Sequence, residues 1–470
     1  MRLRADRAAD DVKVRRSHRL ASAALLFPLL GAAGAAQAAG FASAEFGGEL
    51  GNVVATNPTA LYYNPGAIGF SEGTHLYLDG VLALRNGTFT HAPAATDVPE
   101  PTGAEGANSG RAHFFNVFGA PMAGATTRLG ALALGAAFSV PFGGNIHWDG
   151  NSRFAGDPRF ALAADGPQRW TVTEGQLRSL YFTLGAAYRL GRLSVGLSGN
   201  IVRSSIRQTQ AKNPTGVGDP DVSNEGRDTL DVAGTQASFG AGALLEAIRD
   251  RLWLAVSYQA QPGLGPMQLH GTLQISFQGD SAPFAVTLNQ ALPDIIRFGA
   301  RYRASPIVEL RLYGDTTRWS RFGTQCIALA GQPCAVFPNG ADATPNLSTV
   351  QNLRRLWRDT YAARAGASVW ARPNLELFAG LGYETAAVPD TTLDPTFPDA
   401  TSVRTALGIR MQITAGLAIN AGLTALWYAS RDNTGRSALA DAQPPTRRAD
   451  AGGRYTLWLG LVNLGLEQRF

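Results

Sequence analysis

The sequence predicts an all-β fold, a transmembrane antiparallel β-barrel of about fourteen strands. Three observations predict the barrel. Charged residues make up 16% of the 470 positions, against an average near 25%. Yet beyond the N-terminus no window holds the roughly 18 uninterrupted apolar residues of a membrane-crossing helix. Apolar and polar residues alternate with period two over segment after segment, as in strands whose two faces meet different surroundings. The links between these segments alternate between short and long, as at the two ends of an outer-membrane barrel.

In chain order, the first expected element is a leader. The stretch from Met1 to Leu20 carries seven basic and three acidic side chains, and the apolar run ASAALLFPLLGAAGAAQA follows. The run ends in Ala36-Gln37-Ala38, the small-x-small pattern of signal-peptide cleavage. Residues 1–38 are therefore expected to be a signal peptide. Its basic start supplies a net +4 of the formal +5, so the sequence pI of 9.3 is no argument for nucleic-acid binding, which needs a clustered basic face.

Residues 39–73 contain NPTALYYNPGAIGF, from Asn57 to Phe70. Pro58 and Pro65 set φ and oppose strand pairing, while Asn57 and Asn64 can accept from nearby backbone N–H groups in Asx turns. Leu61, Tyr62, Tyr63, Ile68 and Phe70 would be left wet unless this compact, non-strand segment packs on an interior surface.

From residue 74 the alternation predicts strands near 75–90, 112–120, 126–141, 176–190, 193–208, 230–247, 252–278, 286–303, 307–319, 359–371, 374–385, 402–413, 417–430 and 454–470. Segment 252–278 is interrupted by QAQPGLGP and is read as one kinked strand, because bacterial single-chain barrels have even strand counts. Short links are expected at 121–125, 191–192, 248–251, 304–306, 372–373 and 414–416, with 279–285 a moderately long exception among the long loops. Parity places Asp79, Arg178, Arg297, Arg301, Glu309, Arg311, Asp315, Arg364, Glu376, Arg404 and Arg410 on the inner wall. Cys326 and Cys334 lie close together in a Gly/Pro-rich loop of a chain expected to be exported, which predicts a disulfide. The six His residues are scattered, so no metal site is expected. The final strand, YTLWLGLVNLGLEQRF, ends on Phe470, and a terminal aromatic after alternating apolar residues resembles the signal read by the barrel assembly machinery.

These residues together resemble the FadL-type outer-membrane transporters of long-chain fatty acids and other hydrophobic compounds. AGFASAEFGGELGN resembles the family's opening segment and ALYYNPGAIGF its Asn-Pro-Ala motif, with Gly66 where the family usually has Ala. SVPFG, Ser139 to Gly143, resembles the end of its third strand. LPDIIRFGARYR, LYGDTTRWSRF, WRDTYAARAGASVW and LELFAGLGYETAAVPD resemble its C-terminal half. The resemblance implies a hatch formed by residues 39–73, with Asn64, Pro65 and Gly66 as its gating motif, inside a barrel of residues 74–470. It implies uptake of a hydrophobic small molecule, a fatty acid or an aromatic hydrocarbon, through hatch movement and lateral exit near the third strand into outer-membrane lipid.

Within that frame Phe114 and Phe118, on one face of HFFNVFG, are expected to line a lumen pocket. Arg311 and Arg404 could fork onto a carboxylate. Gly130, Gly135 and Pro141 weaken strand 126–141 and are the candidates for a lateral opening. No G-x-S-x-G elbow or His-Glu-x-x-His run is present, so the expectation is a transporter and not an enzyme, with no cofactor. A general diffusion porin and an outer-membrane lipid hydrolase are the alternatives. The expected location is the Gram-negative outer membrane and the expected state a monomer.

Overall fold

In the computed structural model of the protein, residues 45–213, 218–337 and 348–470 are described. The expected signal peptide and the first residues of segment 39–73 lie outside them. Nineteen strand segments form one closed antiparallel sheet and amount to fourteen staves. The first six are β1 (Thr74–His91), β2 (Gly110–Leu129), β3 (Leu132–His147), β4 (Glu174–Leu190), β5 (Leu193–Lys212) and β6 (Gly226–Ile248). β7 is Leu252–Gln259 continued by Met267–Phe277, and β8 is Asp280–Gln290 continued by Ile295–Ser305. Then come β9 (Val308–Thr317), β10 (Thr360–Arg372), β11 (Leu375–Glu384), β12 (Ser402–Gln412), β13 (Leu417–Tyr428) and β14 (Gly453–Arg469). β14 returns to β1, from His75 opposite Arg469 to His91 opposite Gly453, so the cylinder has no free edge there. Closure is what hydrocarbon demands, because an unpaired backbone group inside it costs several kcal/mol.

The period-two pattern has its expected cause. In β1, Leu76, Leu78 and Leu82 are exposed, whereas Tyr77, Asp79 and Val81 between them are buried. The same apolar exposure recurs at Leu184, Leu197, Leu312, Leu381 and Leu464, giving the wall its lipid-facing band. Both parts of β7 pair with β6, Gly240 opposite Gln259 and Ala233 opposite His270, so QAQPGLGP is a kink within one stave.

Three expectations need correction. The turn between β2 and β3 falls at Gly130, whose φ is +66°, and not at 121–125. Pro121 and Gly124 looked like a turn, but β2 runs straight through them, paired to β1 with Pro121 opposite Gly80. Gly130 therefore lies outside the strand it was expected to weaken. The link expected at 279–285 is a tight turn at Gln278 and Gly279, both with positive φ, and Asp280 already opens β8. Arg178 shares the parity of Leu180 and Phe182, while Leu177, Ser179 and Tyr181 are the buried neighbours; it belongs to the outer face.

A candidate transport lumen

The long-loop half of the barrel interior is filled by inward side chains of successive staves: Phe114 from β2, Phe142 from β3, Tyr181 from β4, Val202 and Ile206 from β5. Loops between staves complete it. A small hairpin, Thr324–Leu329 with Thr349–Arg354, lies beside β8, Cys326 opposite Asn289. Cys326 and Cys334 are joined, with Cα atoms 6.2 Å apart, which ties the hairpin to its own return. Around it gather Trp319, Phe322, Trp357 and Phe397, with ring centroids 4.7 Å apart for Phe322–Trp357 and 5.6 Å for Trp357–Phe397. Their edge-to-face geometry is the preferred one for aromatic pairs. Arg355 sits 4.5 Å over Phe397 and donates to Asp394 at 2.8 Å. In the adjoining loop Asp399 accepts from the N–H groups of Ala387 and Val388. Burial nevertheless pushes its carboxyl up to about 6.

The N-terminal segment lies against the inner wall of the other half. Ala60–Tyr63 is a single helical turn and Pro65–Phe70 a 3₁₀ turn. Between them Asn64 is fully buried. Its Oδ1 accepts from Gly66 N, and its Nδ2 donates to Val53 O at 2.9 Å and to Ala243 O of β6 at 3.0 Å. Asn57 caps its own turn, accepting from Thr59 N. Such close approach requires glycine on both sides: a Cβ on Gly66 would stand 2.4 Å from Gly242 O, and one on Gly196 2.6 Å from Gly66 N. Gly66 thus stands at a point where this wall has no room for a methyl. Leu61 and Ile68 are fully buried, and Leu61 reaches toward Gly135 and Gly185.

Charge pins the same segment. Arg404 of β12 donates to Glu45 at 2.7 Å and to Glu49 at 2.7 Å. The Glu49 carboxylate also accepts from Tyr313 at 2.9 Å and lies over Gly366 and Gly380, where a Cβ would come within 2.2 Å of it or less. Burial alone would raise the Glu45 carboxyl, but the Arg404 guanidinium outweighs it and holds the group below its ordinary value. A cavity of about 80 Å³ remains between Glu45, Tyr62, Arg297, Asp315, Arg364 and Arg404.

One seam of the wall is incomplete. The β2–β3 ladder runs from Leu129 opposite Leu132 to Met122 opposite Ser139 and goes no further, although both strands continue. β2 remains paired to β1 up to Gly110, and β3 resumes against β4 at Phe142 after an irregularity at Val140 and Pro141. Pro121 and Pro141, each without an N–H, flank the place where the ladder stops, and proline is tolerated there because each strand is locally an edge. Beyond the gap the strands meet again through the Asn116 side chain, which donates to His147 O at 3.1 Å.

The sequence-predicted residues are thus divided. Phe114 is fully buried, 4.7 Å from Trp148 and beneath Arg85 in the apolar lumen. Phe118 belongs to a different cluster, with Phe46 and Tyr62 of the N-terminal segment. Arg311 and Arg404 do not meet Phe114: Arg404 holds Glu45 and Glu49, and Arg311 donates to Glu309 and Ser368. Pro141 is at the gap, whereas Gly135 is paired within the ladder opposite Thr126. Sequence reasoning missed the aromatic group of Trp319, Phe322, Trp357 and Phe397. It also missed Glu45 and Glu49, whose signal was two carboxylates in an otherwise apolar SAEFGGEL.

Comparison with known proteins matches this geometry. Residues 29–451 fit the family model described as outer membrane protein transport protein (OMPP1/FadL/TodX). No curated protein matches the sequence. Among solved structures, a Pseudomonas aeruginosa FadL homologue is 17% identical with a TM-score of 0.71, covering 93% of this chain and 99% of that one. The Ralstonia pickettii toluene transporter TbuX is 14% identical with a TM-score of 0.60, covering 92% and 98%. The Pseudomonas putida toluene transporter TodX is 13% identical with a TM-score of 0.60, covering 87% and 93%. The chain belongs to the OMPP1/FadL/TodX family, outer-membrane transporters of hydrophobic compounds that carry no enzymatic reaction.

Proposed function

We propose that this protein takes up small apolar molecules, which enter the aromatic-lined lumen from the long-loop side and leave sideways between β2 and β3 into the outer membrane. The single observation that carries this reading is the ladder that stops at Met122 and Ser139 beside an apolar interior. A lipid-soluble molecule released there never crosses water, and the β2–β3 ladder has no pairing beyond Met122 and Ser139 to break. In this reading residues 39–73 are the hatch and residues 74–470 the barrel. Asn64, Pro65 and Gly66 are in close contact with the wall at Gly196 and Gly242, so hatch movement starts or stops there.

Between a fatty acid and an aromatic hydrocarbon, the charge distribution favours the neutral compound. Of the two arginines expected to hold a carboxylate, Arg404 is engaged by Glu45 and Glu49 and Arg311 lines a separate cavity at the short-turn end, while the rings of Trp319, Phe322, Trp357 and Phe397 suit a flat apolar ligand. TbuX and TodX are toluene transporters, in line with that preference.

The test is to bridge the gap. Ala120→Cys and Val140→Cys, joined by a short bifunctional thiol reagent, should abolish accumulation of radiolabelled toluene and of a long-chain fatty acid in whole cells, while each single-cysteine variant treated alike keeps it. Unchanged uptake in the bridged protein would refute lateral exit. Large, steady conductance steps in a planar bilayer would instead favour a diffusion porin.

A further inference from the structure

At the short-turn end of the barrel, a second cavity of about 890 Å³ lies between Leu50–Asn57 of the N-terminal segment and the wall of β8 to β12 and β14. It is distinct in chemistry from the apolar lumen. Six arginines line it: Arg301, Arg303, Arg311, Arg372, Arg410 and Arg469. Three carboxylates face them, those of Glu309, Glu376 and Glu467, which leaves an excess of three positive charges.

The carboxylates are already shared. Glu309 lies 3.2 Å from Arg311 and 3.9 Å from both Arg301 and Arg303. Glu467 accepts from Arg410 at 3.0 Å, from Arg469 at 2.9 Å and from His75 at 3.0 Å, and Glu376 lies 3.9 Å from Arg410. Arg372, exposed at the rim, makes no ion pair among the described residues.

The buried members are under-satisfied. The Arg311 side chain is 4% exposed, and among the described residues its Nε and Nη2 have no hydrogen-bond acceptor; Glu49 Oε1, itself without a donor, stands 4.0 Å from Nε. Among the described residues Nε of Arg301 also lacks an acceptor within hydrogen-bond distance. A buried charged donor without an acceptor is costly, and such groups ordinarily find one. All six cations are arginines, whose planar forks match carboxylate and phosphate oxygens. Leu50, Val54, Ile307 and Trp370 supply apolar wall in the same cavity.

We propose that this cavity binds the phosphate headgroup of an anionic amphiphile. Arg311 and Arg301 take the oxygens at the base, Arg372 and Arg303 hold them at the rim, and the apolar wall covers the start of the tail. The source is either a free anionic amphiphile or a phospholipid headgroup of the facing leaflet. The site does not depend on how apolar molecules cross the lumen.

The experiment uses the full protein in a neutral detergent at low ionic strength, where such contacts are least screened. Dodecyl phosphate is titrated calorimetrically against dodecanol as the matched neutral probe. The phosphate should bind at least about tenfold more tightly, and Arg311→Gln should remove roughly 10- to 100-fold of its affinity, the loss of one to two charge-assisted bonds. Arg372→Gln with Arg303→Gln, both at the exposed rim, should weaken it several-fold and keeps the test open if Arg311→Gln fails to fold. Displacement by inorganic phosphate identifies a free anion as the natural source. Enrichment of phosphatidylglycerol over phosphatidylcholine in native mass spectra from mixed-lipid nanodiscs, lost in the rim variant, identifies the lipid. Equal binding of phosphate and alcohol, or phosphate binding untouched by the rim variant, overturns the proposal.

Discussion

Arg404 and Glu49 stand 355 positions apart in the chain, yet Nη1 of one donates to Oε2 of the other at 2.7 Å. The same guanidinium takes Glu45 at 2.7 Å through Nη2, so one wall residue holds two carboxylates of the N-terminal segment. Each partner is buried or nearly so. Breaking a buried pair from one side leaves the other charge without compensation, at about 3–5 kcal/mol.

Arg404→Ala should therefore release the segment. The expected readout is conductance across a planar bilayer, low for the native protein and raised in the variant, together with faster protease cleavage between Glu45 and Phe70. Arg404→Lys, which keeps the charge and loses the fork, should fall between. Native-like conductance in Arg404→Ala would show that the apolar contacts of Leu61 and Ile68 hold the segment without it.

Acid should act on the same contact. The folded-state Glu45 carboxyl is held below its ordinary value. Its contribution is thus fully present above the ordinary Glu range, near pH 4.3, and is lost as pH falls through the lowered value. Conductance should be flat from neutral pH down to that range and rise below it, and Glu45→Gln should remove most of the acid step.

Gly66→Ala tests the glycine contact. Its Cβ would lie 2.4 Å from Gly242 O and 2.7 Å from Gly242 C, backbone atoms that cannot rotate away. Overpacking of this kind costs about 1–3 kcal/mol, and the N-terminal segment should become protease-sensitive. Gly130→Ala serves as the comparison: nothing lies within 4 Å of its Cβ and only its positive φ is strained. That should cost about 1 kcal/mol and leave the segment docked.

Trp357→Ala opens the aromatic group from its centre, since Trp357 touches Trp319, Phe322 and Phe397. Loss of a large buried aromatic costs about 3–5 kcal/mol. Toluene uptake should fall more than uptake of an unbranched alkane, measured in the same cells. Equal losses for both would place the selectivity elsewhere.

Most of the barrel can be read from single residues in order. Alternation such as Leu76, Leu78 and Leu82 against Tyr77, Asp79 and Val81 exists because each strand separates two solvents, and that constraint acts on every second position locally. It yields the number of staves, the inner arginines and even the kink at QAQPGLGP. It fails at Pro121, where a turn-like PMAGA belongs to a strand, because the neighbouring ladder has ended and a missing N–H costs nothing. It fails at Arg178, assigned by parity to the inner wall although it shares the parity of Leu180 and Phe182 on the outer face.

Which inner residues meet is a different matter, since it depends on how fourteen staves close and what fills the bore. Arg311 and Arg404 are both inward by pattern, and nothing local tells that one anchors Glu45 and Glu49 while the other keeps two N–H groups without acceptors among the described residues. The aromatic group assembles from two loops separated by the whole of β10 and β11, and the seam beyond Met122 and Ser139 is a property of two strands, not of either. Local chemistry chooses a face for each side chain; curvature and closure choose its neighbours, because only in the closed cylinder do residues hundreds of positions apart share the same few ångströms.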